Sequence, residues 1–460
     1  MTAWSPYKPT SKNPWNLAKV GHLYRRAGFG ATWAELQQGL KDGPEKTIDR
    51  ILAGSAADPD FEQTSDFMAS ERSLPPGAAG TQLAAWWIAR ILRNPHPLRE
   101  KLALFWHNHF ATSLAKVQNA RFMLGQYRLV YRHALGDFRT LLREMSTDPA
   151  MMIWLDTNQS KKDKPNENYA RELMELFSLG IGNYTETDIR EAAKAFTGYE
   201  IDKDKGILNK RQHNDGTKSV LGRKGDWKAE DIVRICLDQP ACPRFLVRKL
   251  YRYLVSEGDS PPADLIDPLA TQYRESGFDM AKLVETILRS EHFFSPAAYR
   301  QKVKAPVDFA VGIVRGLEGY VGPLGLAEAL STLGQVLFAP PSVKGWDGGP
   351  TWLNGQTLLF RQNLALAITS TDDARFGPQC DPAKVIAHHD LTTDEQIVDF
   401  FLGVFLQNDV PKEARAKLLD YAKTAKTAKT PIYWSADEVT HHRVRTLAYL
   451  TLTLPEFQLD

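Results

Sequence analysis

The chain has 460 residues with 57 Lys and Arg against 55 Asp and Glu, and its formal charge of +2 supplies no global field of the kind that gathers nucleic acid or acidic lipid. An apolar content of 43% in a chain this long excludes broad disorder and provides for a substantial core. Three cysteines, Cys236, Cys242 and Cys380, are too few and too unevenly spaced for a disulfide framework or a paired CxxC zinc site.

Pro6, Pro9 and Pro14 with scattered Lys occupy the first thirty residues, which hold no apolar core of a secretory signal, and no later run approaches the ~18 residues of a membrane span. As written the chain reads as soluble and cytoplasmic; a processed periplasmic or secreted protein would read the same way. Apolar residues then recur at three- and four-residue intervals over 16–27, 32–40, 83–93, 98–111, 120–133 and 138–145, predicting helices. Thr32 and Glu35 form a capping box, and Pro44 opens the next helix. Between 54 and 80 the period vanishes among Asp58, Pro59, Asp60, Pro75, Pro76 and Gly77, which predicts a surface loop. Helical spacing resumes over 166–177, ending at Gly180, and again over 187–196. From 198 to 227, Tyr199, Ile201, Ile207, Val220 and Leu221 are interrupted by Gly and charge, predicting a small β-hairpin. Helices follow over 229–237, 244–256, 262–276, 280–289, 306–317 and 324–335. Residues 370–382 read as an exposed connection, and the Ala-Lys-Thr triplets over 422–430 as a solvated spacer. The expected architecture is mostly α: one large, irregular multi-helix domain over 1–460 with a β excursion near 198–227.

Several blocks carry a family resemblance. They are His22-Leu23-Tyr24-Arg25-Arg26-Ala27-Gly28-Phe29-Gly30, Phe105-Trp106-His107-Asn108-His109-Phe110, Asn166-Glu167-Asn168-Tyr169-Ala170-Arg171-Glu172-Leu173 with Glu175-Leu176-Phe177, and Ala195-Phe196-Thr197-Gly198. Phe245-Leu246-Val247-Arg248-Lys249-Leu250, Pro340-Pro341-Ser342-Val343-Lys344-Gly345-Trp346 and Pro455-Glu456-Phe457-Gln458 complete the set. Together they resemble the bacterial family catalogued as domain of unknown function 1800, over nearly the whole chain. The resemblance implies one compact unit and brings no assigned reaction, substrate or catalytic residue. It also implies a partner, an alkaline-phosphatase-like protein encoded beside many members, and an exported location for many relatives.

Within these blocks the candidate chemistry centres on imidazoles and a carboxylate. At about 100° per residue Leu98, Leu102, Phe105, Trp106 and His109 share one helical face and His107 falls nearly opposite, so one helix cannot aim both imidazoles at one ion. If the helix ended before His107, a strand-like chelate would return. His109 lies in an apolar stripe and needs polar partners there, as a core histidine bonded to a carbonyl or carboxylate, or as a ligand or acid/base group. On 166–177 the buried stripe is Tyr169, Leu173, Leu176 and Phe177, Glu167–Arg171–Glu175 reads as a salt ladder, and Glu172 sits at the stripe edge where it reaches inward. His213 precedes Asn214-Asp215-Gly216 in an irregular segment, as a solvated turn residue or a site residue.

One hypothesis is therefore an enzyme of unknown reaction with a polar pocket of His109, Glu172 and His213, built to ligate a divalent metal or move a proton. Glu172 supplies charge or a general base, and Arg171 orients the carboxylate or an anionic substrate. In the loop over 344–354, Lys344, Trp346, Trp352 and Asn354 suit a sugar or other flat ligand, or simply pack the loop onto the core. Arg25-Arg26, Arg248-Lys249, Arg121 and Arg128 are candidate anion contacts or ordinary solvated charges. No Walker A, GxSxG, HExxH or strand-linked GxGxxG occurs, and interleaved basic and aromatic RNA-binding motifs are missing. The rival hypothesis is a non-catalytic scaffold or accessory protein that binds a hydrolase-like partner or a glycan.

Overall fold

The computed structural model describes residues 3–56, 59–70, 79–258, 260–427 and 435–460. Asn16 accepts the Lys19 N–H (3.1 Å) to start α1 (Leu17–Arg26), and the Thr32–Glu35 capping box starts α2 (Trp33–Ala53). Gly43 (φ 76°) breaks α2 just before Pro44, which is why the sequence pattern reads as two helices there. The chain continues through α3 (Pro59–Met68), α4 (Ala79–Arg93), α5 (Pro97–His109), α6 (Leu114–Val117), α7 (Ala120–Arg132), α8 (Phe138–Met145) and α9 (Pro149–Trp154). Next, α10 (Asn168–Glu172) runs directly into a π-helical turn over Leu173–Ser178, followed by α11 (Glu186–Ala195).

The β excursion is two separate antiparallel hairpins. In the first, β1 (Tyr199–Asp202) pairs with β2 (Lys205–Leu208), Tyr199 opposite Leu208; in the second, β3 (Lys218–Val220) pairs with β4 (Arg223–Gly225), Lys218 opposite Gly225. The polar stretch around His213-Asn214-Asp215-Gly216 separates them, where one hairpin was expected. Helices complete the chain: α12 (Ala229–Leu237), α13 (Ala241–Leu254), α14 (Ala263–Glu275), α15 (Met280–Arg289), α16 (Pro306–Gly316), α17 (Pro323–Thr332), α18 (Gly355–Ser370), α19 (Pro382–His388), α20 (Asp394–Leu406), α21 (Lys412–Thr427) and α22 (Ala436–Leu452). The fold is mostly α, and among the described residues no helix is long and apolar enough to cross a membrane.

Three of the expected loops read differently in three dimensions. Within 54–80, Pro59–Met68 is helix α3 and buries Phe61 and Ser65, because Pro59 at the start and two anchors four apart suffice when α4 provides the docking face. Residues 57–58 and 71–78 lie outside the described residues. Of the expected 422–430 spacer, 422–427 forms the end of α21 and Ala422 is fully buried, since alternating Ala and Lys support a helix once Ala422 packs inward; 428–430 lie outside the described residues. Residues 371–381 are irregular, yet Phe376 and Cys380 are buried and Asp381 caps α19 and pairs with Arg445 (3.1 Å).

One apolar cluster runs from Tyr7 to Phe457, and α5 lies inside it. Only Pro97, Arg99 and Asn108 of α5 keep solvent contact, so this helix is buried on all its faces although it carries Glu100, Lys101, His107 and His109. Glu100 meets that constraint with four donors: Trp87 Nε1 (2.9 Å), Arg90 Nε (3.1 Å), Asn94 Nδ2 (2.6 Å) and the Tyr127 hydroxyl (2.7 Å). These bonds tie α5 to α4 and α7. Glu100→Ala should lower unfolding stability by about 3 kcal/mol, because it leaves the buried Trp87 N–H without an acceptor and takes from the buried Arg90 one of its two carboxylates, Glu62 (3.1 Å) being the other. Glu100→Gln, which keeps the acceptor oxygen, should cost less; denaturant titration of both variants measures the difference.

Candidate functional site

A cleft of about 270 Å³ opens where α5 meets α13 and the loop before α18. Its floor is Lys101, Phe105, Asn108 and His109 from α5, one wall is Lys249, Arg252 and Tyr253 from α13, and the loop brings Lys344, Trp346, Asp347 and Trp352. Asn108 holds the loop in place. The Trp346 N–H donates to its Oδ1 (2.7 Å) and its Nδ2 donates to the Trp346 carbonyl (3.3 Å). Gly345, at φ 83°, lets the loop come this close, since a Cβ there would lie 2.6 Å from the Asn108 carbonyl oxygen.

The end of the π-helical turn lies behind the cleft residues His109 and Lys249. Its last carbonyls have no partner within the helix. The His109 Nε2–H donates to the Phe177 carbonyl (3.1 Å), which leaves Nδ1 as an acceptor, and Lys249 Nζ donates to that Nδ1 (3.2 Å) and to the Leu176 carbonyl (3.1 Å). Burial, reinforced by the neighbouring Lys249 charge, holds the His109 imidazole well below its ordinary pKa, so it is neutral. Burial also brings Lys249 down from 10.5 to about 8.

The cleft is electropositive for a countable reason. Lys101 is neutralised by Asp308 (2.6 Å) and Lys302 by Glu257 (2.6 Å), whereas Lys249, Arg252 and Lys344 form no ion pair among the described residues. Among the described residues lining the cleft, Asp347 is the carboxylate that forms no ion pair, and Glu172, outside the lining, lies near enough to Lys344 to feel its charge. A second cavity of about 410 Å³ between α1 and α2 differs in this respect: Arg315 is bidentate to Glu35 (2.8 Å to each oxygen) and Arg50 is bonded to Asp42.

The family model described as protein of unknown function (DUF1800) matches residues 22–459. The chain belongs to the DUF1800 family. No curated protein and no solved structure matches it.

In this DUF1800 chain His109, Glu172 and His213 do not converge as one set of metal donors. Among the described residues the donor atoms of these three do not come within 4.8 Å of one another as a group. His109 faces the cleft as described. Glu172 is half-buried; burial and then Glu175 raise its pKa, while Arg171 and Lys344 oppose. Arg171 does not orient it, because that guanidinium is bidentate to Glu186 (2.8 Å twice) and bonded to Glu167 (3.2 Å), while Glu175 accepts from the Tyr184 hydroxyl (2.9 Å). His213 is buried away from the cleft, where its Nδ1–H donates to the Thr197 carbonyl (2.8 Å) and Gly198 (φ 79°) permits the close packing of that loop.

The remaining motif residues divide in the same way. His107 does project away from His109, but its face is buried too: it accepts the Phe338 N–H (3.2 Å) between Trp87 and Trp346, and burial takes its pKa to about 3. Lys344, Trp346 and Trp352 line the cleft, although each indole is only 8% exposed and packs mainly into the protein. Asn354 instead caps α18, accepting the N–H groups of Gln356 (3.0 Å) and Thr357 (2.9 Å). In Arg248-Lys249 the lysine turns into the cleft and Arg248 stays exposed; Arg25 and Arg26 are buried, Arg26 donating to the Ala298 carbonyl (2.7 Å). Arg121 and Arg128 sit at the surface beside Asp204 (3.5 Å) and Asp66 (3.2 Å). The cleft residues Lys101, Tyr253, Glu257 and Lys302 carry no spacing signal in the sequence.

Two outcomes follow from this geometry. Asn108→Ala should cost about 2 kcal/mol by leaving the Trp346 N–H unpaired, and should make the loop over 341–353 the first segment to gain hydrogen exchange. The folded Lys249 amine gives up its proton near pH 8 and the unfolded one near 10.5. Between these values the unfolded chain binds more protons, so stability from this group rises with pH, and below about 8 its full penalty applies. Denaturation at about pH 7 and about pH 10 should show this gain in the wild type relative to Lys249→Met, which lacks it.

Proposed function

We propose that the protein is an enzyme whose cleft takes a small anionic, ring-bearing substrate and whose Lys249 amine acts as general base. The observation that carries this reading is the environment of Lys249: a lysine without an ion pair among the described residues, brought close to neutral pH by burial, with two donated hydrogen bonds taken up by protein groups, His109 and the Leu176 carbonyl. An uncharged amine has two N–H bonds and one lone pair. With both N–H bonds used, the lone pair is left for a substrate proton. When Lys249 takes that proton it becomes an ammonium that still donates to neutral His109, while Arg252 and Lys344 offset the charge left on the substrate. Phe105, Tyr253 and the edges of Trp346 and Trp352 supply an apolar wall for a ring. In this reading His109 is a positioning residue for Lys249, and Glu172, Arg171 and His213 are structural.

Trinitrobenzenesulfonate, an anionic aromatic reagent for uncharged amines, tests the reading on the full chain. Under limiting reagent Lys249 should modify faster than the other lysines, with a titration midpoint near pH 8, and His109→Phe should change that midpoint without abolishing modification. Lys249 reacting no faster than the bulk lysines, or titrating near their ordinary value, would falsify the assignment.

A second reading is an accessory protein that docks an alkaline-phosphatase-like or other hydrolase-like partner. It is favoured by Leu358, Leu359 and Leu366, which are 39%, 56% and 47% exposed on α18.

A further inference from the structure

We propose that Glu318, His388 and His389 form a binding site for a divalent first-row transition ion, separate from the cleft. Glu318 lies on the turn from α16 into α17, and the two histidines close α19, so the donors come from stretches of chain 71 residues apart. One donor atom from each residue lies within 4.8 Å of the other two, and His389 Nε2 and Glu318 Oε2 are already 3.1 Å apart. Zinc bonds of ~2.0–2.1 Å at tetrahedral angles place donors about 3.3 Å apart. One edge of the set therefore has metal-bound spacing, and the others need to close by at most about 1.5 Å.

Glu318 is held from behind by a hydrogen bond and His389 by ring packing. Glu318 Oε1 accepts the Trp33 N–H at the start of α2 (3.2 Å), which leaves Oε2 to face the histidines. The His389 ring rests on Phe400 with centroids 5.0 Å apart, and the His388 ring meets it edge-on at 4.9 Å. The His389 and Glu318 side chains are 19% and 20% exposed and His388 is exposed, so the site lies at the surface and an ion can enter it. Two imidazoles and one carboxylate suit Zn²⁺ and its neighbours in the first row, and leave a four-coordinate ion one position for water. An ion held there clasps α19, which packs on α22, to the α16–α17 turn and the start of α2.

The test uses the untagged full-length chain stripped with a chelator. Calorimetric titration with zinc should find one site per chain, zinc should raise the Tm, and cobalt(II) should give the intense visible bands of a four-coordinate site. His388→Ala, His389→Ala and Glu318→Gln should each weaken zinc binding by about tenfold or more and remove the cobalt bands. The circular dichroism of each metal-free variant shows whether it is folded, and near-isosteric Glu318→Gln carries the comparison if a histidine variant is not. No saturable zinc binding, or binding unchanged in any folded variant, overturns the site.

Discussion

A helix covered on all its faces has little water to satisfy its polar groups, and α5 carries six polar side chains, of which Arg99 and Asn108 are partly at the surface while Glu100, Lys101, His107 and His109 are buried. Each has to find its partner on a different neighbour. Glu100 binds α4 and α7, Lys101 reaches Asp308 on α16, His107 takes the Phe338 backbone, Asn108 takes Trp346, and His109 takes the end of the π-helical turn. The run of three polar residues that first suggests a metal chelate therefore works as three fasteners pointing in three directions. Hydrophobic burial supplies the bulk of the folding free energy, but these bonds decide where the surrounding segments sit relative to α5.

The cleft lies where several of those fasteners come out on one side. Asn108 and His109 hold two of its walls at a fixed separation, and Lys249 enters between them. Lys249 binds carbonyl and imidazole groups, which accept its hydrogen bonds without supplying the charge that would keep it protonated. A carboxylate in their place would supply the opposite charge that Asp308 gives Lys101 and Glu257 gives Lys302. The difference between one lysine and its two neighbours is thus the identity of the acceptor. Keeping a lysine without a counter-ion costs stability, and such a cost is most often met at sites that bind or react.

Much of the fold is legible from local signals. Asn16 and the Thr32–Glu35 box start helices where side-chain oxygens can satisfy the first N–H groups, and the apolar spacing marks α7, α8 and α15 because each has one face in the core and one in water. Periodicity fails for α5, where His107 looks outward-facing on a wheel although both faces are covered by other helices. It fails in the opposite sense for α3 and for the end of α21, short or polar stretches that are helical because a neighbour provides a surface. The π-helical turn leaves no mark in the residue spacing, yet the carbonyls that anchor His109 and Lys249 come from it. Lys249 itself is visible only as half of a basic pair, with nothing in Arg248-Lys249 to say which one turns inward.

From residue types and spacing alone the chain determined its helical class, most helix starts, the β excursion, and the need of His109 for a polar partner inside an apolar stripe. Those properties are local: they depend on hydrogen bonds and side-chain periods within a few residues. Which groups meet is a property of packing over tens to hundreds of residues, so only the tertiary structure placed His213 outside the cleft and put Lys249 beside His109. The same holds for Glu318 and the histidine pair of α19. Distant segments converge because each buried polar group must be paired, and the sequence states that requirement without naming the partner.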